Sequence, residues 1–191
     1  MNLVDRAKNI ILKPKDEWTL IDQEDTSVAT LIVTYLFPLA LIPAIAASIG
    51  YGVIGVASFG PIGWGIKMAI ISLVTTIVGV YISAMIIDIL APNFGSIRDF
   101  RKTMQLVVYA YTPIMLAGAF QAIPALGVLG IVGLYGLYLL YVGIKPMMKT
   151  PDEKVTVYFV VSLLVIFAVY FIIGAILTVA LIGKTYSMIP Q

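Results

Sequence analysis

Cysteine and histidine are both absent from the 191-residue chain. Without cysteine there is no disulfide framework, no thiolate nucleophile and no thiolate metal site. Without histidine, the usual zinc and haem ligands and the commonest general base near neutral pH are missing as well. Charge is scarce: 12% of the residues are Asp, Glu, Lys or Arg, and a net charge of +2 is too small to point to nucleic acid. No glycine-rich loop follows a strand and precedes a helix, the order that phosphate cradling requires. Intramembrane serine proteolysis would need a serine with a histidine or lysine partner inside the bundle, and aspartyl proteolysis two membrane aspartates; neither set is present. The expectation is a protein with no catalytic residue, no metal site and no cofactor.

Apolar residues are abundant. They make up 61% of the chain, and a mean hydropathy of +1.04 describes a protein whose solvent is mostly lipid. Runs of about 20 apolar residues recur, each long enough to cross a hydrocarbon core of about 30 Å. The reading is an all-α polytopic integral membrane protein, a five-transmembrane-helix bundle with an N-terminal amphipathic interfacial helix. Residues 1–25 form a cytoplasmic amphipathic segment, 26–183 the membrane domain, and 184–191 a short external tail. The spans are expected at about 27–49, 62–91, 97–121, 124–148 and 152–182.

Along the chain, Leu3, Val4, Ala7, Ile10 and Ile11 recur at helical spacing opposite Asn2, Asp5, Arg6, Lys8 and Asn9. That pattern describes a short helix ended by Pro14, lying either in the headgroup region or on the cytosolic face of the bundle. Trp18 suits the interface, where its ring can stay in lipid and its N–H in water. Asp25, Thr26 or Ser27 can cap the first span, which should bend at Pro38 and Pro43. The glycine-rich, uncharged stretch 50–60 reads as a folded-back connector or an ordinary turn. Ser96 and Asp99 read as a capping box for the third span, which should kink at Pro113. Pro124 opens the fourth with almost no connector. Thr150-Pro151-Asp152-Glu153 is a strong start for the fifth, with a capping hydroxyl, proline in the first turn and acids against the helix dipole.

Five spans place the termini on opposite sides. Arg6, Lys8, Lys13, Lys15, Arg98, Arg101, Lys102, Lys145, Lys149 and Lys154 then share one face, and Lys67 and Lys184 lie on the other. The positive-inside rule makes the N-terminus cytoplasmic and the C-terminus external, in the cytoplasmic (inner) membrane if the source is prokaryotic.

Few residues can carry chemistry. Apart from acids in the first turns of the third and fifth spans, Asp88 is the only carboxylate inside an expected span, near its cytoplasmic end. There it can pair with Arg98, Arg101 or Lys102, or serve as a proton or ion site. Tyr109, Tyr111, Tyr135, Tyr138 and Tyr141 bring hydroxyls into an apolar centre, where carbonyls freed by Pro113 and Pro124 are available partners. Gly127, Gly130, Gly133 and Gly136 recur every third residue and lay a small-residue track along one side of a helix, a packing device within one chain or between chains.

Asn93-Phe94-Gly95-Ser96, Phe100, Thr103, Tyr109-Ala110-Tyr111-Thr112-Pro113, Ile123-Pro124, Gly127, Gly133-Leu134-Tyr135-Gly136-Leu137-Tyr138 and Gly143-Ile144 resemble the prokaryotic branch of the Yip1 family. The resemblance covers nearly the whole chain and implies a five-span fold with a cytoplasmic N-terminus. Eukaryotic members associate with one another and with Rab GTPases in vesicle traffic. This chain lacks their long N-terminal region and only approximates their Gly-Tyr-x-x-x-Pro signature. Two roles follow. One is a non-enzymatic membrane organiser or adaptor that engages membrane lipids or a cytoplasmic protein through Lys15, Trp18, Arg98, Arg101 and Lys102, and forms a homo- or hetero-oligomer through its glycine track. The other is a small transporter, channel or lipid-handling protein built around broken helices.

Overall fold

The computed structural model describes residues 2–54 and 63–186, and among them every regular element is helical. Asn2 starts the first helix, α1 (Leu3–Leu12), by accepting the Asp5 N–H on its side-chain oxygen at 2.8 Å. Pro14 then opens α2 (Pro14–Gln23), where a missing N–H costs nothing in the first turn. The two short helices form a cap whose inner face, Ala7, Ile10, Trp18 and Ile21, is buried on the bundle. Of the two placements open for the N-terminal segment, the structure takes the packed one. Trp18 is not at an interface; it is fully buried.

Ser27 is the residue that caps α3 (Val28–Gly52), accepting the Thr30 N–H at 3.1 Å. The expected distortion is found just ahead of Pro38, as a widened π-helical turn over Ile32–Leu36. Pro38 has no N–H to offer the preceding turn and its ring crowds that turn, which the wider geometry relieves. At the far end α3 meets α4 (Gly65–Phe94) backbone to backbone: a Cβ on Gly52 would lie 2.7 Å from Gly65 Cα.

After α4 the chain turns through Gly95, whose φ of 68° suits a residue without a Cβ. The expected capping box fails here. α5 (Phe100–Ala122) is capped by Asp99, which accepts the Arg101 N–H at 2.9 Å, because the Ser96 hydroxyl is engaged with Thr150 at 2.8 Å. That contact also removes Thr150 from its expected capping role. The kink near Pro113 is present: the α-helix is interrupted at Tyr111 and resumes over Thr112–Ala117.

α6 (Ala125–Met148) departs most from expectation. From Pro124 to Leu134 it winds as a 3-10 helix, and only from Tyr135 as an α-helix. At about three residues per turn, glycines three apart stack on one edge instead of drifting around the helix. The track divides in function along its length. A Cβ on Gly136 would come within 2.6 Å of the Ala110 carbonyl oxygen, and one on Gly133 within 3.2 Å of Ile114 Cα. Gly127 and Gly130 face open space. The last helix, α7 (Asp152–Tyr186), is 35 residues long.

Four segments among the described residues, α3 to α6, are long and apolar enough to cross a membrane, one fewer than the five expected. The fifth expected span, 152–182, falls on α7, and its side chains beyond residue 172 lie outside the described residues. So do most of the connector 50–60 and most of the tail 184–191. α5 is the hub of the bundle: 72% of its apolar window is buried, against 39%, 28% and 22% for α3, α4 and α6.

Candidate functional site

Arg6, expected on the polar side of α1, is instead buried: it stands three and four residues from Leu3 and Ile10, at the edge of the apolar stripe, so folding the cap onto the bundle carries its guanidinium inward. Its side chain is 6% exposed and donates to Glu17 Oε1 at 2.6 Å and to Glu24 Oε1. Glu17 is buried as well. The guanidinium stands over the Tyr109 ring, 5.4 Å from its centroid, which adds a cation–π attraction. Burial works against its charge, but the hydrogen bond to Glu24 and the fields of Tyr109, Glu24 and Glu17 more than offset this, and the guanidinium holds its proton above the usual arginine range. Tyr109 in turn packs edge-on against Tyr35 at 4.7 Å, and the Tyr35 hydroxyl meets Thr112 Oγ1 at 2.8 Å. A polar column thus joins α1, α2, α3 and α5.

The cap is held by further charges. Arg101 pairs with Asp25 at 2.6 Å, Lys149 with Asp22, and Lys102 Nζ donates to the carbonyls of Asp22 and Glu24. On the opposite side of α5, Asp88 accepts from Arg98 Nε at 2.9 Å and from Thr103 Oγ1 at 3.4 Å. The Tyr158 hydroxyl donates to the Ile87 carbonyl at 2.6 Å in the same region. Of the partners open to Asp88, the structure selects Arg98.

The remaining sequence candidates separate. Asn93 is exposed in the 3-10 turn that ends α4, and Pro113 is buried. The Tyr111 hydroxyl lies 3.4 Å from Ser83 Oγ, and the Tyr135 hydroxyl donates to the Ile11 carbonyl at 2.9 Å, tying α6 to the cap. Tyr138 is exposed beside Tyr135, and Tyr141 meets Thr156. Among the described residues none of these hydroxyls bonds to a carbonyl freed by Pro113 or Pro124; Tyr111 and Tyr141 meet a serine and a threonine, and Tyr135 meets the cap. Gly133 and Gly136 admit α5, while Pro124 marks the start of the 3-10 segment. Of the expected docking set, Trp18 is inside, Arg98, Arg101 and Lys102 are engaged within the chain, and Lys15 remains exposed.

Arg6, Glu17, Glu24 and Tyr35 were not foreseen as a cluster. The signal that could have found them was the spacing of Arg6 from Leu3 and Ile10, which sets a charge at the edge of the apolar stripe, where it needs a buried partner.

Two spaces adjoin these groups. A cavity of about 440 Å³ lies among α4 to α7, with Ser83, Ile87, Gly133 and Leu137 on its wall, and does not include Asp88. A smaller polar recess lies beside Arg6. Since the Arg98 side chain is 61% exposed, solvent screens its attraction to Asp88. A double-mutant cycle of Asp88→Asn with Arg98→Ala, read as melting in detergent, is expected to give a coupling of about 0.5–1 kcal/mol. No coupling would mean the pair does not form.

Comparison with the curated proteins and with the solved structures returned no match. The family model described as Yip1 domain matches residues 8–182. That match covers nearly the whole chain, from the cap through the four apolar segments into α7. The chain is an integral membrane protein and belongs to the Yip1 family.

Proposed function

We propose that this protein is a non-enzymatic membrane organiser or adaptor, oriented with its cap in the cytoplasm, that engages lipids or a protein partner at that end. The observation that carries the reading is the gathering of ion pairs. Every ion pair among the described residues, from Arg6–Glu17 to Lys145–Asp152, lies at the end where the cap sits. Ten of the twelve lysines and arginines map to that end, the side that the positive-inside rule assigns to the cytoplasm. Asp88 is paired there rather than placed midway along a polar path, which supports an organiser over an ion transporter. With Trp18 buried, the outward face of the cap offers Lys15 together with exposed Leu12 and Leu20 as its docking surface.

A photo-cross-linker placed at Lys15 in native membranes should capture a reproducible partner, and Lys15→Glu should abolish the capture. Cysteines at Lys15 and Lys184 should label from opposite faces with an impermeant reagent. Labelling from one face, or proton or cation flux in proteoliposomes that is lost in Asp88→Asn, would overturn the proposal. A lipid-handling role is the second reading, favoured by the apolar cavity among α4 to α7; lipid scrambling by proteoliposomes would select it.

A further inference from the structure

Two cavities meet inside the bundle. The one among α4 to α7 has a volume of about 440 Å³, and apart from Ser83 and Tyr111 its wall carries only glycine and hydrocarbon side chains. Those two hydroxyls face each other at 3.4 Å, so the cavity offers water little to bind. Left empty, its lining would forfeit van der Waals contacts on that side. The second space, of about 510 Å³, lies among α3, α4 and α5 toward the end away from the cap, where Tyr51 and Gln121 stand near the far ends of α3 and α5. Tyr51, Ser72, Thr75 and Gln121 line it, and none of their side chains makes a hydrogen bond among the described residues.

Tyr111 and Ile114 belong to both walls, so the two spaces are one layer of side chains apart. Ile114 is packed against the backbone that Gly133 and Gly136 expose. Tyr111 is held less firmly. Its contact with Ser83 is long and is its one side-chain hydrogen bond among the described residues, and it stands where α5 is interrupted. On the opposite wall, nothing among the described residues lies within 4 Å of where a Cβ on Gly130 would be, so the void reaches the backbone of α6.

The sequence of surfaces has the profile of an amphiphile. Descending α4 from Thr76 to Ser83, about 10 Å along the helix axis, passes from hydroxyls to hydrocarbon. A phospholipid in the leaflet opposite the cap presents the same order, oxygens outward and chains toward the bilayer centre. We propose that the two spaces together seat one such phospholipid. Its glycerol and phosphate oxygens accept from the hydroxyls and the amide of the outer recess, and one acyl chain passes Tyr111 into the inner cavity.

The chemistry limits the occupant. The polar groups of the recess are uncharged, so they read the oxygens that glycerophospholipids share and leave the headgroup unread. A helix of a second copy, about 10–12 Å across with its side chains, is too broad for the inner cavity, whereas a single hydrocarbon chain is not. The proposal rests on the cavity that favours the lipid-handling reading, but a seated lipid requires no transport, so the two can fail separately.

Phosphatidylethanolamine or phosphatidylglycerol carrying a diazirine at the end of one acyl chain, in proteoliposomes of the full chain, tests the proposal. Val107 and Leu140 line the inner cavity and are only 2% and 7% exposed, so label on them comes from inside it. Both lipids should label them to within about threefold. Gly130→Phe places a ring in the void and should cut that labelling about tenfold, the effect of losing about 60 Å³ of cavity filling. It should melt no lower than the wild type, because its Cβ meets nothing. Gly127→Phe, one 3-10 turn away on the same edge and outside the cavity wall, should leave the labelling unchanged. Thr75→Val, which removes a recess hydroxyl at constant shape, should weaken it severalfold. Label confined to outward residues such as Val128 and Phe171, an annular lipid only, would overturn the proposal. So would undiminished labelling in Gly130→Phe, equal loss in Gly127→Phe, or a tenfold preference for one headgroup. Scrambling without label at Val107 or Leu140 would sink this site and leave the lipid-handling reading standing; label there without scrambling would do the reverse.

Discussion

Replacing Arg6 with leucine should lower the melting temperature in detergent by on the order of 10 °C, the equivalent of about 3–5 kcal/mol for breaking a buried ion pair from one side. The size follows from what is left behind. Glu17 is 3% exposed at its side chain and would be stranded as a buried carboxylate, while Glu24, at 37%, can turn to water. The loss is therefore a cost of an unpaired charge more than of a missing attraction, and that distinction can be measured. Arg6→Leu combined with Glu17→Gln should recover most of the stability, because the double variant buries no net charge. Limited proteolysis with trypsin reads the same event locally: in Arg6→Leu alone the bond after Lys15, in the first turn of α2, should become the first site of cleavage. Melting within about 2 °C of the wild type for Arg6→Leu would show that the cap is not anchored through this pair.

The anchoring explains why some of this architecture could be read from the sequence and some could not. Helix existence follows from apolar run length, and α3 to α6 fall close to the expected bounds because Ser27, Gly95 and the prolines punctuate the chain locally. The pairing of Asp88 with Arg98 was within reach for a similar reason, since the two residues flank one short turn. Contacts distant in sequence were not. Whether Trp18 stays at an interface or enters the bundle depends on Gly143, and nothing near Trp18 announces that glycine's role. The capping box at Ser96 failed through a competitor 54 residues away, Thr150. The glycine spacing in α6 was visible, but its meaning depended on a 3-10 winding that aligns what an α-helix would spread. Arg6 joins these cases: its burial requires Glu17, Glu24 and Tyr109 to arrive together.

Gly143→Ala should displace Trp18 and loosen the cap. A Cβ at this position would lie 2.6 Å from Trp18 Cε2, 2.8 Å from Cζ2 and 2.6 Å from Leu106 Cδ1. Leu106 can rotate; the indole cannot, since Tyr109 stands edge-on to it at 6.4 Å and the ring is fully buried. Overpacking of this kind typically costs about 1–3 kcal/mol. The nature of the contact can be separated from its size, because the Trp18 Nε1–H has no acceptor among the described residues. The ring is held by shape, not by a hydrogen bond, so Trp18→Phe should be tolerated far better than Trp18→Ala, for which about 3–5 kcal/mol is expected. Only two tryptophans are present, and in a Trp64→Phe background the emission of Trp18 reports the slot directly. It should be blue-shifted in otherwise unchanged protein and move to the red, with greater quenching by iodide, in Gly143→Ala. Unchanged emission would mean the slot accepts a methyl group, and the role assigned to Gly143 in seating the cap would fail.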